Sequence, residues 1–222
     1  MQKTKIGPLL TLAAVAAVGG GMWLANVSQE TESAALAPPV SQSTTRTTAA
    51  SPEHPPPSTP PPVAFPAKAN YVAKIPTAAG TITLEVTING QRAIAYACDG
   101  NAVEVWLRGS ATNGALALAN KDQTSRLTGR LEGASIAGTL TIGAKYWDFT
   151  ASPVQPPAGL YVYDDGGVRN SWIVDSGGAV TGVQRRADGS TGPAATLTKD
   201  RTAVVDGTTV TATKVEGNDD AQ

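Results

Sequence analysis

Glu104, Trp106 and Arg108 alternate along the stretch Val103 to Gly109. In an extended chain they share one face, opposite Val103, Val105 and Leu107. An aromatic ring flanked by a carboxylate and a guanidinium can stack on a sugar or a partner while the charges hydrogen-bond to it. These three are the candidate ligand-binding residues. The competing reading is that a second layer covers this face and the indole is buried, as large aromatics mostly are.

Other residues carry less. Asp99, Glu104, Asp148, Asp164, Asp165 and Asp175 are the carboxylates from which a glycoside-cleaving pair would have to come. That chemistry needs two carboxyls ~5–9 Å apart across a cleft, which spacing along the chain does not supply. Asp99 and Asp188 precede glycine, where Asp is favoured for backbone reasons. Asp164-Asp165-Gly166-Gly167 lacks the regular acidic spacing of a calcium loop. Cys98 is the lone cysteine, so it forms no internal disulfide, and the sequence predicts a small buried hydrophobe. The single histidine, His54, lies in a proline-rich stretch. A Ser-His-Asp or Cys-His site, or a His-ligated zinc, is therefore not expected in the folded part. No catalytic residue, metal or cofactor is predicted. The formal net charge of −1, with no basic patch interleaved with aromatics, argues against nucleic acid.

The elements that position these residues read as strands. Thr81 to Ile88 alternates strictly, with Ile82, Leu84 and Val86 on one face. Turn dipeptides recur: Asn89-Gly90, Asp99-Gly100, Asn113-Gly114, Gly166-Gly167, Gly177-Gly178, Asp188-Gly189 and Asp206-Gly207. This is the punctuation of an all-β antiparallel meander, closed as an up-and-down barrel or stacked as a sandwich. The first hairpin has two readings. A two-residue Asn89-Gly90 loop sets Leu84 opposite Ala95. A three-residue loop, Ile88-Asn89-Gly90, sets Leu84 opposite Ile94 and Ile82 opposite Tyr96, with Gly90 left-handed and Cys98 on the same core face. The second is preferred because it gathers the apolar residues on one face. Leu127-Thr128-Gly129-Arg130-Leu131 and Ile136-Ala137-Gly138-Thr139-Leu140 share an apolar-x-Gly-x-apolar pattern. Glycine inside a strand implies strong bending or a close neighbour. The main β domain is expected over 67–151. Pro153 to Pro157 breaks the sheet, and a smaller β unit over 158–216 packs on the main one.

Ahead of these lies a different kind of sequence. Ile6 to Val27 is a run of 22 uncharged residues, preceded by Lys3 and Lys5 and followed by Glu30 and Glu32. It is long enough to span a bilayer core of ~30 Å. The basic flank predicts a cytoplasmic amino terminus, so residues 1–28 read as stub and signal anchor. A cleaved signal peptide fits less well, since its apolar region is usually ~7–15 residues. Residues 29–66 read as a disordered stalk: ten of the sixteen prolines fall in 33–66. At ~3.1 Å per residue it would reach roughly 100 Å. The expected location is the plasma membrane, single-pass, with the carboxy-terminal domain outside the cytoplasm.

Ala95-Tyr96-Ala97-Cys98-Asp99-Gly100 with Val103 to Gly109, and the stretches Gly159-Leu160-Tyr161 and Ser171-Trp172-Ile173-Val174, resemble actinobacterial, especially mycobacterial, single-pass membrane-anchored envelope proteins with a Pro-rich stalk. The resemblance runs from about residue 70 onward. It implies an envelope location and transfers no active-site residue. The leading functional expectation is a module that binds or scaffolds an envelope component: a cell-wall polymer, a lipid or another membrane protein. The alternatives are a carboxylate-dependent hydrolase or transferase acting on cell-wall glycans, and a purely structural cap. A cleft with two carboxylates would favour the enzyme. A flat polar surface with one aromatic would favour binding.

Overall fold

The computed structural model describes residues 63–219. The expected anchor and nearly all of the expected stalk lie outside them. Every regular element among the described residues is a strand.

Eight antiparallel strands form a closed barrel. They are β1 (Lys68–Thr77), β2 (Gly80–Asn89), β3 (Arg92–Cys98), β4 (Glu104–Thr112), β5 (Ala115–Ala119), β6 (Ser125–Glu132), β7 (Ser135–Ile142) and β8 (Lys145–Val154). Each pairs with the next, and β1 closes on β8 through Asn70–Val154, Tyr71–Pro153 and Val72–Ser152. Of the two predicted all-β arrangements, this is the up-and-down barrel. Its interior is filled, as expected at this strand number. Leu84, Val86, Ile88, Leu107, Leu127, Ile136 and Leu140 are at most 1 % exposed, and Ala93, Ala95 and Ala97 of β3 fit among them.

The first hairpin follows neither expected register. Its loop is Gly90-Gln91, Asn89 pairs with Arg92, and Leu84 pairs with Ala97. Gly90 does adopt a positive φ of 62°. It alone of the two loop residues does so, the pattern of a II′ turn, whose twist matches the flanking strands. The expectation failed because it assumed one buried face. Both faces of β2–β3 are buried. Large aliphatics of β2 lie across from alanines of β3 inside the barrel. Ile94, Tyr96 and Cys98 lie on the outer face, beside Thr83, Glu85 and Thr87. Cys98 is buried as predicted, but outside the barrel rather than beside Leu84.

What covers that face is a five-stranded antiparallel sheet. Its strands are β9 (Gly159–Asp165), β10 (Val168–Val174), β11 (Val180–Arg185), β12 (Thr191–Pro193) and β15 (Thr213–Lys214), in the order β12-β11-β10-β9-β15. Leu160, Ile173 and Val183 from this sheet pack on Val72, Ile94, Tyr96 and Cys98 of the barrel. The opposite face presents Tyr161, Trp172 and Val174 to a hairpin, β13 (Thr202–Val205) and β14 (Thr208–Thr211), which adds Ala203, Val205 and Val210 to a further small core. The turn dipeptides fall between strands, except that Asn89 of Asn89-Gly90 is the last residue of β2. Asn113-Gly114 and Asp206-Gly207 take positive φ at both residues, the I′ pattern.

The repeated glycine pattern is a single hairpin. Gly129 of β6 faces Gly138 of β7, flanked by Leu127–Leu140 and Leu131–Ile136. A Cβ on Gly138 would strike the Thr128 carbonyl oxygen and come within 2.7 Å of the Gly129 Cα. Side chains are excluded there by close approach of the backbones.

Candidate functional site

The structure brings Glu104 and Trp106 together on the outer face of the barrel, where the C-terminal sheet buries the Glu104 side chain and leaves Trp106 half-buried. The Glu104 side chain is fully buried between β4 and the C-terminal sheet. Its carboxylate accepts from Arg169 Nη2 (3.3 Å), Arg185 Nε, Ser171 Oγ (3.2 Å) and Trp106 Nε1 (3.3 Å). Arg169 also lies over the Trp106 ring, its Cζ 5.4 Å from the centroid, and the ring packs on Tyr96 at 4.7 Å. Two strands more than sixty residues downstream thus bring three donors to one carboxylate, and Trp106 of β4 itself supplies the fourth. A charge removed from water needs such saturation. Arg108 turns elsewhere, donating from Nη1 to the Asp219 carbonyl (3.2 Å). Chemically, this arrangement fastens the C-terminal sheet to the barrel, with Trp106 as the packed centre of the joint.

A second polar cluster lies in the same interface. Glu85 is fully buried, and both of its oxygens lie within 3.0 Å of Thr87 Oγ1. With its amide nitrogen toward Thr87 and Glu85, Asn70 bridges onward from its oxygen to Lys214 Nζ (3.3 Å). Burial pushes the Glu85 carboxyl up to about 8, against the opposing pull of the Thr87 hydroxyl and the Lys214 charge. Nothing in the strand pattern distinguishes Glu85 from an ordinary outward residue.

The other carboxylates mostly serve turns and neighbours. Asp99 accepts from the backbone N–H of Asn101, Ala102 and Val103, and Asp175 from those of Gly177 and Ala179. Among the described residues no group of three or more His, Cys, Asp or Glu could hold a metal ion. The Cys98 thiol is pushed up to about 12 by burial, so it is not a nucleophile at ordinary pH.

Among the described residues, the outer face of β5 to β8 is the part of the barrel that the C-terminal sheet does not cover. Register aligns its outward residues in rows. Ala117, Thr128, Thr139 and Asp148 form one row, and Ala115, Arg130, Ala137 and Thr150 the next. Ala119, Arg126, Thr141 and Tyr146 form a third. Thr139 Oγ1 donates to Asp148 (2.8 Å), and the Tyr146 ring is 73 % exposed. A shallow groove of about 630 Å³ runs over the first two rows, where the Gly129–Gly138 pair draws the strands together. A row of four strands at ~4.8 Å spacing is ~14 Å across. Small and hydroxyl side chains floor the surface, guanidiniums and a carboxylate supply hydrogen bonds, and one aromatic stands at the margin. Of the residues on this face, only Asp148 is a candidate from the sequence alone. The alternation Arg126-x-Thr128-x-Arg130 and Tyr146-x-Asp148-x-Thr150 was the face's visible signal, but the rows need the register.

No family model, curated protein or solved structure matches this chain.

Proposed function

We propose that the chain is a membrane-anchored extracytoplasmic binding module that holds a neutral, hydroxyl-rich glycan of the cell envelope on the outer face of β5 to β8. The observation that carries this reading is the contrast between the two sides of the barrel. One side is sealed by the C-terminal sheet. The other presents exposed rows of hydroxyls with Arg126, Arg130, Asp148 and Tyr146. Glu132 continues the outward row of β6, so across the whole face two guanidinium-bearing side chains, Arg126 and Arg130, stand beside two carboxylate-bearing ones, Glu132 and Asp148, and give no net sign, which suits a neutral partner better than an anionic one. The anchor and stalk expected from residues 1–66 support the envelope location.

A hydrolytic reading has less support. The carboxylates lining the groove are Glu132 and Asp148. By register they lie four residues along and two strands across, about 16 Å between Cα atoms by sheet geometry. That is wide for a pair that must sit ~5–9.5 Å apart.

The test is co-sedimentation of the full chain with insoluble cell-wall material. Replacing Arg126 and Arg130 together by alanine, or Tyr146 by alanine, should weaken binding about tenfold or more, since each lost charged hydrogen bond or stacking contact is worth ~1–3 kcal/mol. Binding unchanged in all variants, or release of soluble sugar during incubation, would count against a purely binding role for this face.

A further inference from the structure

The C-terminal sheet carries a hollow of its own, remote in character from the barrel groove. Tyr161, Val174 and Val180 line it from β9 to β11, with Leu197 contributed by a loop, around a volume of about 270 Å³. Most of its wall is apolar, and Val180 is 42 % exposed there. Its charged lining residues are Lys199 and Arg201, both cationic. Among the described residues neither takes part in an ion pair. Arg201 is held firmly: its N–H donates to the Thr198 carbonyl (3.0 Å) and its carbonyl accepts from the Ala212 N–H (2.8 Å). Its φ is +63°, a left-handed conformation that a side-chain-bearing residue adopts only at a cost. The Tyr161 hydroxyl is already engaged by the Pro157 carbonyl (2.7 Å), so the hollow keeps its apolar character.

An apolar pocket with cations at its rim and no carboxylate among its lining residues is complementary to one kind of ligand. We propose that this hollow binds a single-chain amphiphile ending in an acid group. The tail lies against Val174, Val180 and Leu197, and the acid, a carboxylate or a phosphate monoester, sits between Lys199 and Arg201. The Arg201 fork and the Lys199 ammonium form charge-assisted hydrogen bonds with either acid. The volume is just under the ~300 Å³ at which ordinary small-molecule sites begin, so the pocket takes the head-proximal part of a chain and leaves the rest outside. This site is independent of the glycan reading: either can fail without the other.

The experiment is photo-crosslinking of the full chain in lipid nanodiscs. The probes are decanoic acid, decyl phosphate and decanol, each carrying a diazirine near the head group. The acid probes should label peptides containing Val174 to Val180 and Leu197 to Arg201, saturably, with the stronger of the two identifying the acid. Decanol should label these peptides about tenfold less, and so should the Lys199→Gln/Arg201→Gln variant with either acid, the expected loss of a charged hydrogen bond. Lys199, Arg201 and Val180 are exposed, so these variants and Val180→Trp, which fills the mouth, should fold; thermal unfolding verifies this. Val180→Trp should abolish labelling by every probe. Equal labelling by decanol, full labelling of the double variant, or label scattered over other surfaces would overturn the proposal.

Discussion

Removing the Glu104 carboxylate should loosen the C-terminal sheet from the barrel. Glu104 is fully buried, Arg169 is 13 % exposed and Arg185 is 38 % exposed at their side chains. Glu104→Ala leaves two guanidiniums facing a space that no longer holds their counter-charge. Breaking a buried pair from one side costs about 3–5 kcal/mol. The Arg185 share must be discounted, because that side chain can turn to water. About 3 kcal/mol remains. Glu104→Gln should cost a similar amount: it keeps the shape but turns an amide toward donors that need an anion. The assay is urea unfolding followed by tryptophan fluorescence, Trp106 and Trp172 lying in the layers that separate. With an m-value of about 2 kcal/mol per molar, the midpoint should fall by about 1.5 M. Glu104→Ala/Arg169→Ala should cost less than the sum of its single variants by about 1–2 kcal/mol, because the second change removes the orphaned charge. A loss below about 1 kcal/mol for Glu104→Ala, or strict additivity, would refute the idea that this carboxylate fastens the layers.

Three further outcomes follow from the buried groups. Glu85 has its folded pKa raised to about 8 from 4.5, so its contribution to stability is complete below pH 4.5 and lost as pH rises through 8. Unfolding free energies from urea titrations should therefore decline between pH 5 and 8, by at most about 1.4 kcal/mol per pH unit, and Glu85→Gln should remove that slope; a flat wild-type profile would contradict the burial argument. The Cys98 thiol should resist a thiol reagent at pH 8 until the fold opens, and rapid labelling of the native chain would show it is accessible. Gly138→Ala should destabilise by about 2 kcal/mol or more through its clash with the β6 backbone, and an unchanged melting temperature would argue against that close approach.

Much of the fold is legible in the sequence because local rules govern it. The alternation of Thr81 to Ile88 and the glycine turns mark the strands and their ends, and an antiparallel meander follows. What is not legible depends on the second layer. The register of β2 and β3 was misjudged because Ile94, Tyr96 and Cys98 look as though they belong with Leu84. They form a different core, beneath strands that begin sixty residues later. The same blindness affects the site. Glu104, Trp106 and Arg108 have the alternation of an exposed binding face, and only the positions of Arg169, Ser171 and Arg185 show that Glu104 is enclosed and Trp106 half-covered. The uncovered rows on β5 to β8 are ordinary polar alternation until the register sets Thr128 beside Thr139 and Arg126 in line with Tyr146.

The central claim is that the face of β5 to β8 holds a glycan. Its most direct test is a nuclear magnetic resonance titration of methyl-labelled protein with soluble cell-wall glycan fragments. The account predicts shifts confined to Ala117, Thr128, Ala137, Thr139 and Thr141, with none at Ile94, Ile173 or Val183 in the sealed interface. Shifts centred on the C-terminal sheet, or no saturable shift on β5 to β8, would contradict it.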